Sequence, residues 1–204
     1  LDTAADGSLT ESDIENISAA AAYIREQMTQ RETVITGSLE ISDMGNMNSV
    51  FEALADQIFI YTSESDEGDY LKQHSGGMSW NYGASFDGNV TTFSYELQIS
   101  YHTTLEQEQE VDDRIDEVLA DLSLDGLSDY EKAKEIYNYI AVNVSYDYEH
   151  LGDSSYMLSH TAYAALIQKT AVCQGYASLF YRMAHEAGLW ARIVPVWVVG
   201  EAHD

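Results

Sequence analysis

From Met78 to Tyr101 the side chains alternate in character, and the alternation turns at Asp87-Gly88-Asn89. Met78, Trp80, Tyr82, Ala84 and Phe86 fall on one side of the first run, with Ser79, Asn81, Gly83 and Ser85 on the other. Phe93, Tyr95, Leu97, Ile99 and Tyr101 continue the pattern against Thr92, Ser94, Glu96, Gln98 and Ser100. Strand side chains change face at every residue, so a period of two over this length specifies strand rather than helix. Two such runs around an Asp-Gly turn specify an antiparallel hairpin. Its aromatic face is expected to be buried against the helices that precede it. A glycan- or peptide-binding platform is the other use for those rings, and it ranks below core because alternating aromatic faces usually pack inward.

The rest of the chain reads mainly as helix. Thr10-Glu11-Ser12-Asp13 has the form of a helix start, followed by Ile14, Ile17, Ala21 and Ile24 at helical spacing. Val34 to Ile41 reads as a short strand, Val50 to Ile60 as a second helix, and residues 61–77 as a loop. Thr104 and Gln107 form a candidate capping box ahead of Val111, Ile115 and Val118, and Ser128 opens a further helix. Leu158 to Ile167 is another helix candidate. A helix from about Cys173 carries Tyr176, Phe180, Met183 and Ala187 on one face, with Gly188 placed to end it. Trp190 to Val199 reads as a strand, with Pro195 suggesting an edge or a bulge. These elements make an α+β fold. Strand periodicity gives way to helix periodicity near Thr103, so residues 1–103 are expected to form a helix-and-hairpin module and residues 104–204 a second unit.

Composition excludes several classes of partner. The formal net charge of −26 opposes nucleic acid and anionic membranes, both polyanions. No apolar run approaches the roughly 20 residues of a membrane span, so membrane insertion is not expected. The chain starts at Leu1 with no basic-then-apolar leader, as a processed product would. Its acidity and its 15 tyrosines suit a secreted or cell-surface protein, bacterial by the resemblance given below. Charge is uneven: twelve acids stand between Glu106 and Glu135, whereas Glu186 is the only acid from Ser154 to Gly200.

Cys173 is the only cysteine, which rules out an internal disulfide. A lone cysteine is ordinarily a small buried hydrophobe. Here it opens a helix, where unpaired N–H groups and the dipole favour thiolate over thiol. His203 follows on an apolar, β-branched run, in the order that cysteine nucleophiles and their bases use. His185 lies about three turns from Cys173 along the same helix, too far to pair with it. His160 reads as a packing or hydrogen-bonding residue rather than a catalyst, and His74, His102 and His150 as loop or strand-end residues. No paired ligand spacing supports a zinc site. Asp2 to Asp13 resembles a degraded calcium loop, with acids at loop positions 1, 5 and 12 and glycine at 6, but Ala4 supplies no ligand at position 3. A terminus ending in a helix cap is the preferred reading, so no cofactor is expected and calcium stays a weak alternative.

Four segments then fall into one order. Ser159-His160-Thr161-Ala162-Tyr163-Ala164-Ala165-Leu166 comes first, followed by Ala171-Val172-Cys173-Gln174-Gly175-Tyr176-Ala177. Ala187-Gly188-Leu189-Trp190-Ala191-Arg192 and Gly200-Glu201-Ala202-His203 complete the set. With Lys134 to Ile140 and Val144 to Tyr148 upstream, they resemble the bacterial transglutaminase-like family from near Glu131 to the end. The resemblance implies a papain-like core, with Cys173 as nucleophile and His203 as general base. It implies thiol-dependent acyl chemistry on protein or peptide amides through a thioester at Cys173. Acceptance by an amine gives cross-linking, and acceptance by water gives deamidation or proteolysis. It also implies an aspartate on the strand after the histidine. Asp204, adjacent to His203, is a poor substitute because neighbouring strand residues face opposite ways, so the third residue is expected past Asp204 or from elsewhere in the fold. The alternative from another class is a binding module that keeps the fold without the chemistry.

Overall fold

The computed structural model describes residues 9–42, 47–88 and 90–195. Helix α1 spans Glu11–Thr29 and strand β1 spans Val34–Ile41. Helices α2 (Met47–Ile58) and α3 (Asp69–His74) then lead into β2 (Ser75–Phe86) and β3 (Thr91–Tyr101). Helices α4 (Leu105–Leu122) and α5 (Asp129–Asn143) follow, then the short strands β4 (Ser145–Tyr146) and β5 (Thr170–Ala171), and finally α6 (Cys173–Glu186). No helix among the described residues is long and apolar enough to cross a membrane.

Local chemistry sets the helix starts. Thr10, Thr104 and Ser128 each cap a helix, and Asp13, Gln107 and Glu131 reach back to close the capping boxes. Each box satisfies N–H groups that the first turn leaves without intrahelical partners. Asp13 also accepts from the backbone and hydroxyl of Ser42, so both its oxygens are engaged. This is the cap reading of the Asp2 to Asp13 segment. Asp2 to Ser8, which would supply the other calcium ligands, lie outside the described residues.

The hairpin forms as its alternation requires, with Tyr82 opposite Tyr95 and Ala84 opposite Phe93. Strand β1 adds to the other side of β3, giving an antiparallel sheet of order β1-β3-β2. Burial of the aromatic face is uneven. Phe93, Tyr95, Leu97 and Ile99 of the central strand are buried, whereas Tyr82 and Phe86 of β2 are 59% and 58% exposed. The expected burial of the whole face is therefore corrected: α1 and α2 pack over β1 and β3. Only Trp80 on β2 is drawn under cover, edge-on to Phe51 with ring centroids 5.1 Å apart.

Two hydrophobic cores result. The first joins Ile17, Ile24 and Met28 of α1, Leu54 and Ile58 of α2, and the inner faces of β1 and β3. The second joins Val111 and Ile115 of α4, Ile136 and Ile140 of α5, a run of small residues at Ala162, Ala164 and Ala165, and Leu179 and Met183 of α6. Helix α3 serves both, giving Leu71 to the first and Tyr70 to the second.

Three other expectations are corrected. Residues 61–77 are not all loop, because α3 lies within them and β2 begins at Ser75; burial of Tyr70, Leu71 and His74 holds that short helix in place. Leu158 to Ile167 is not one helix. A 3₁₀ turn at Met157–His160 ends where Thr161 is extended, and a π-type turn occupies Ala164–Gln168. The Thr161 hydroxyl donates to the Leu158 carbonyl at 2.7 Å and accepts from the Ala164 N–H at 3.2 Å, ending one turn and starting the next. Trp190 to Pro195 is unpaired chain rather than strand. The Ile193 N–H bonds the Asp69 carboxylate at 2.9 Å, where a neighbouring strand would otherwise accept it. The rest of that expected strand lies outside the described residues.

Candidate functional site

Strand β5 delivers the chain to Cys173. It pairs in parallel with β4, and the Asp147 N–H extends the ladder to the Ala171 carbonyl at 2.9 Å. Two residues later Cys173 is the first residue of α6, exposed, with Val172 offering no side-chain cap. The first-turn N–H groups therefore lack a side-chain cap, and the Gly175 N–H turns back to the Val172 carbonyl at 2.9 Å. Gly175 allows this turn to seat closely. A Cβ there would lie 2.7 Å from Ala171 Cβ and 2.9 Å from the carbonyl oxygens of both Ser159 and Thr161. The Tyr176 hydroxyl donates to the Val144 carbonyl at 2.8 Å, tying the same turn to the end of α5. The helix ends as the sequence indicates, with Gly188 at φ +77.

The buried face of α6 differs from the expected one. Leu179, Arg182 and Met183 are buried, while Tyr176 and Phe180 are half-buried. Arg182 enters the interior because partners await it. It bonds Glu108 at 3.0 Å, Ser65 at 3.0 Å and Asp112, and lies over the Tyr70 ring. Glu108 is the hub, pairing with Arg31 at 2.7 Å and accepting from the Tyr70 hydroxyl at 2.8 Å. Burial works against its charge, yet Arg31 and Arg182 together hold its carboxyl down to about 2.

The histidines divide by surroundings. His185 is buried in α6 between Tyr61 and Tyr181, with its ring nitrogens near the carbonyls of Ser63 and Ala191, a structural placement far from Cys173. His74 is buried and stacked on Tyr70, and burial pushes its pKa down to about 4 despite the nearby Glu108. His150 stacks on Tyr156, and its Nδ1 lies 2.8 Å from Asp147. His160 reaches the Cys173 turn directly: its Nδ1 lies 3.2 Å from Oε1 of Gln174. Gln174 in turn donates to Gln73 Oε1 at 2.8 Å. His102 belongs to the same neighbourhood, its pKa lowered by burial and by His160.

Of the two expected catalytic residues, the structure therefore places Cys173 at an accessible helix start, and His203 lies outside the described residues. Sequence reading missed Gln73, hidden in a stretch taken for loop, while His160 takes the hydrogen-bonding role it was given. Among the described residues no three or more histidine, cysteine or acidic side chains converge as a metal site would need.

Comparison with curated proteins gives no match. Comparison with protein families does: residues 116–203, from within α4 through Cys173 to His203, match the family model of the transglutaminase-like superfamily. The match begins upstream of the Glu131 limit read from the motifs. This stretch of the chain is thus transglutaminase-like, a likeness that suggests cysteine-dependent acyl transfer or hydrolysis.

Proposed function

We propose that the protein is a transglutaminase-like cysteine enzyme that acts on protein or peptide amides through a thioester at Cys173. The observation that carries this reading is the exposed cysteine on the uncapped first residue of α6, within the matched segment. In this reading residues 104–204 carry a papain-like core and residues 1–103 form a module that precedes it. The thiolate attacks the amide carbonyl, and the backbone N–H of Cys173 helps to hold the oxyanion. His203, protonated by the thiol, gives that proton to the leaving nitrogen as collapse expels the amine, ammonia where the donor is a glutamine side chain, and leaves the thioester. An amine or water then takes the acyl group, with His203 as the general base. The charge of −26 favours a neutral or basic donor, since like charges repel at encounter. An acidic, tyrosine-rich chain of this kind suits a secreted or surface setting.

The test offers a broad set of glutamine-bearing peptides with a fluorescent primary amine, and measures ammonia release and peptide cleavage in parallel. Cys173→Ala is the control. Amine incorporation above the control identifies a transferase; ammonia release or cleavage without it identifies a hydrolase. No signal above Cys173→Ala in any assay would replace the enzyme reading with that of a binding module.

A further inference from the structure

Strand β1 is an edge of the three-stranded sheet, bonded on one side only, to β3. The Ile99 N–H bonds the Thr33 carbonyl at 3.0 Å, and that pair sets the phase of the ladder. In an antiparallel pair only alternate residues exchange bonds with the neighbour, so the backbone groups of Thr36, Ser38 and Glu40 point away from β3. Asn16 of α1 fits this direction, because its side-chain amide donates to the Glu40 carbonyl at 2.9 Å from the open side. The Thr36 and Ser38 backbones have no partner there among the described residues. A bare edge of this kind pairs readily with another extended chain.

A groove of about 570 Å³ runs along this edge, walled by Asn16, Ala19 and Tyr23 on one stripe of α1. Tyr95 reaches it from β3 by crossing over Gly37, where a Cβ would stand 2.6 Å from Tyr95 Cζ. The ring thereby carries its hydroxyl onto β1, where it has no hydrogen-bond partner among the described residues. Tyr95 is only 5% exposed, so a buried polar group faces the groove unpaired. Charge selects the occupant. Glu40 is the charged residue that lines the groove, and no lysine or arginine occurs from Leu1 to Ile24 or from Glu32 to Leu71. The flanking arginines are engaged elsewhere, Arg25 with Glu67 at 3.1 Å and Arg31 with Glu108 at 2.7 Å. Such a surface attracts a basic segment and repels an acidic one.

We propose that the groove between α1 and β1 is a strand-addition site for an extended segment of another protein that carries a lysine or arginine. The segment's backbone pairs with Thr36 and Ser38, alternate side chains enter the groove toward the Tyr95 hydroxyl, and the basic side chain pairs with Glu40. A second copy of this chain is a poor occupant, because a chain of net charge −26 meets its own sign there. The site is independent of Cys173 and of the thioester reading.

The probes are fluorescein-labelled peptides of about seven residues, a usual strand length, built from threonine, valine and serine with one lysine moved through the positions. Fluorescence anisotropy with the full chain gives their dissociation constants. The best peptide should bind, and its counterpart with glutamate for lysine should bind about tenfold more weakly or worse. N-methylating alternate amides of that peptide should weaken binding about tenfold in one phase and little in the other, because only one edge of the added strand faces β1. Amide exchange at Thr36 and Ser38 should slow in the complex. Ser38→Pro removes an outward N–H, leaves the ladder to β3 intact and should abolish binding. Glu40→Lys should reverse the preference toward the glutamate peptide. No binding by any peptide in the set, or equal weakening in both N-methyl phases, overturns the proposal. Slowed exchange on β2 in place of β1 overturns it as well. Slowing at Thr36 and Ser38 that rises with protein concentration and needs no peptide overturns it in favour of a second copy of the chain.

Discussion

The two hydrophobic cores are built on different terms. The first is filled by large aliphatic and aromatic side chains, such as Ile24, Met28, Leu54, Phe93 and Leu97, packed between two helices and a sheet. The second brings backbones close together on Ala162, Ala164, Ala165, Ala171 and Gly175, and it takes in the fully buried Arg182. A core of the first kind depends on filled volume and tolerates repacking at similar size. One of the second kind depends on particular partners, because a buried charge that loses its counterpart remains in a poor solvent. The cysteine helix belongs to the second. The site is therefore held by contacts that substitute badly, whereas the hairpin is held by contacts that substitute well.

The largest expected effect tests that dependence. Arg182→Ala leaves the buried Glu108 short of one of its two arginine partners and should cost about 3–5 kcal/mol in urea unfolding. Adding Glu108→Gln to it should not recover that loss, since Arg31, buried beside Glu108, then lacks its carboxylate. If Arg182→Ala costs no more than a surface substitution, the contrast between the cores is wrong.

A smaller effect is expected in acid, and it should come from the junction rather than from the sheet. His74 has a folded pKa of about 4, below the ordinary 6.5, so the unfolded chain takes up its proton first. Its contribution is fully present above pH 6.5 and is lost as pH falls toward 4. Glu108, held down to about 2 from 4.5, loses its contribution below that ordinary value. Stability measured against pH should therefore begin to fall near pH 6.5, and His74→Phe should flatten the curve between 6.5 and 4. The same slope in parent and variant would remove His74 from the account. The groups that face it are Glu108, Arg31 and Arg182, and of these Glu108 titrates only at the lower end.

The smallest effect belongs to the open edge of the sheet. Tyr82 is 59% exposed on β2, its ring stacked on Phe93 and tilted to Phe51 but otherwise open to solvent, so Tyr82→Ser should change stability by about 0.5 kcal/mol or less. A much larger loss would show that β2 is part of the first core after all.

Several features were legible because they are local. The hairpin follows from alternation around Asp87-Gly88, and the starts of α1, α4 and α5 follow from capping residues three positions apart. Gly188 acted as read, ending α6 in the left-handed conformation. Cys173 at a helix start was visible from the helical spacing of Tyr176, Phe180 and Met183 that follows it. Other features depend on what meets across the fold. Residue periodicity marks the aromatic face of β2 but cannot say that two helices are too narrow to cover it. Polarity predicts an exposed Arg182, and only the convergence of Glu108, Asp112 and Ser65 from distant segments makes its burial possible. Gln73 and Gln174 are 101 residues apart, and an amide side chain carries no periodic signal. Sequence alone thus determined the hairpin, the capped helix starts and the placing of Cys173 at a helix start, because short-range sterics and hydrogen bonding set them. Tertiary structure decided which faces are covered, which charges are paired and which side chains meet at Gln174, because each of these depends on partners far away in the chain.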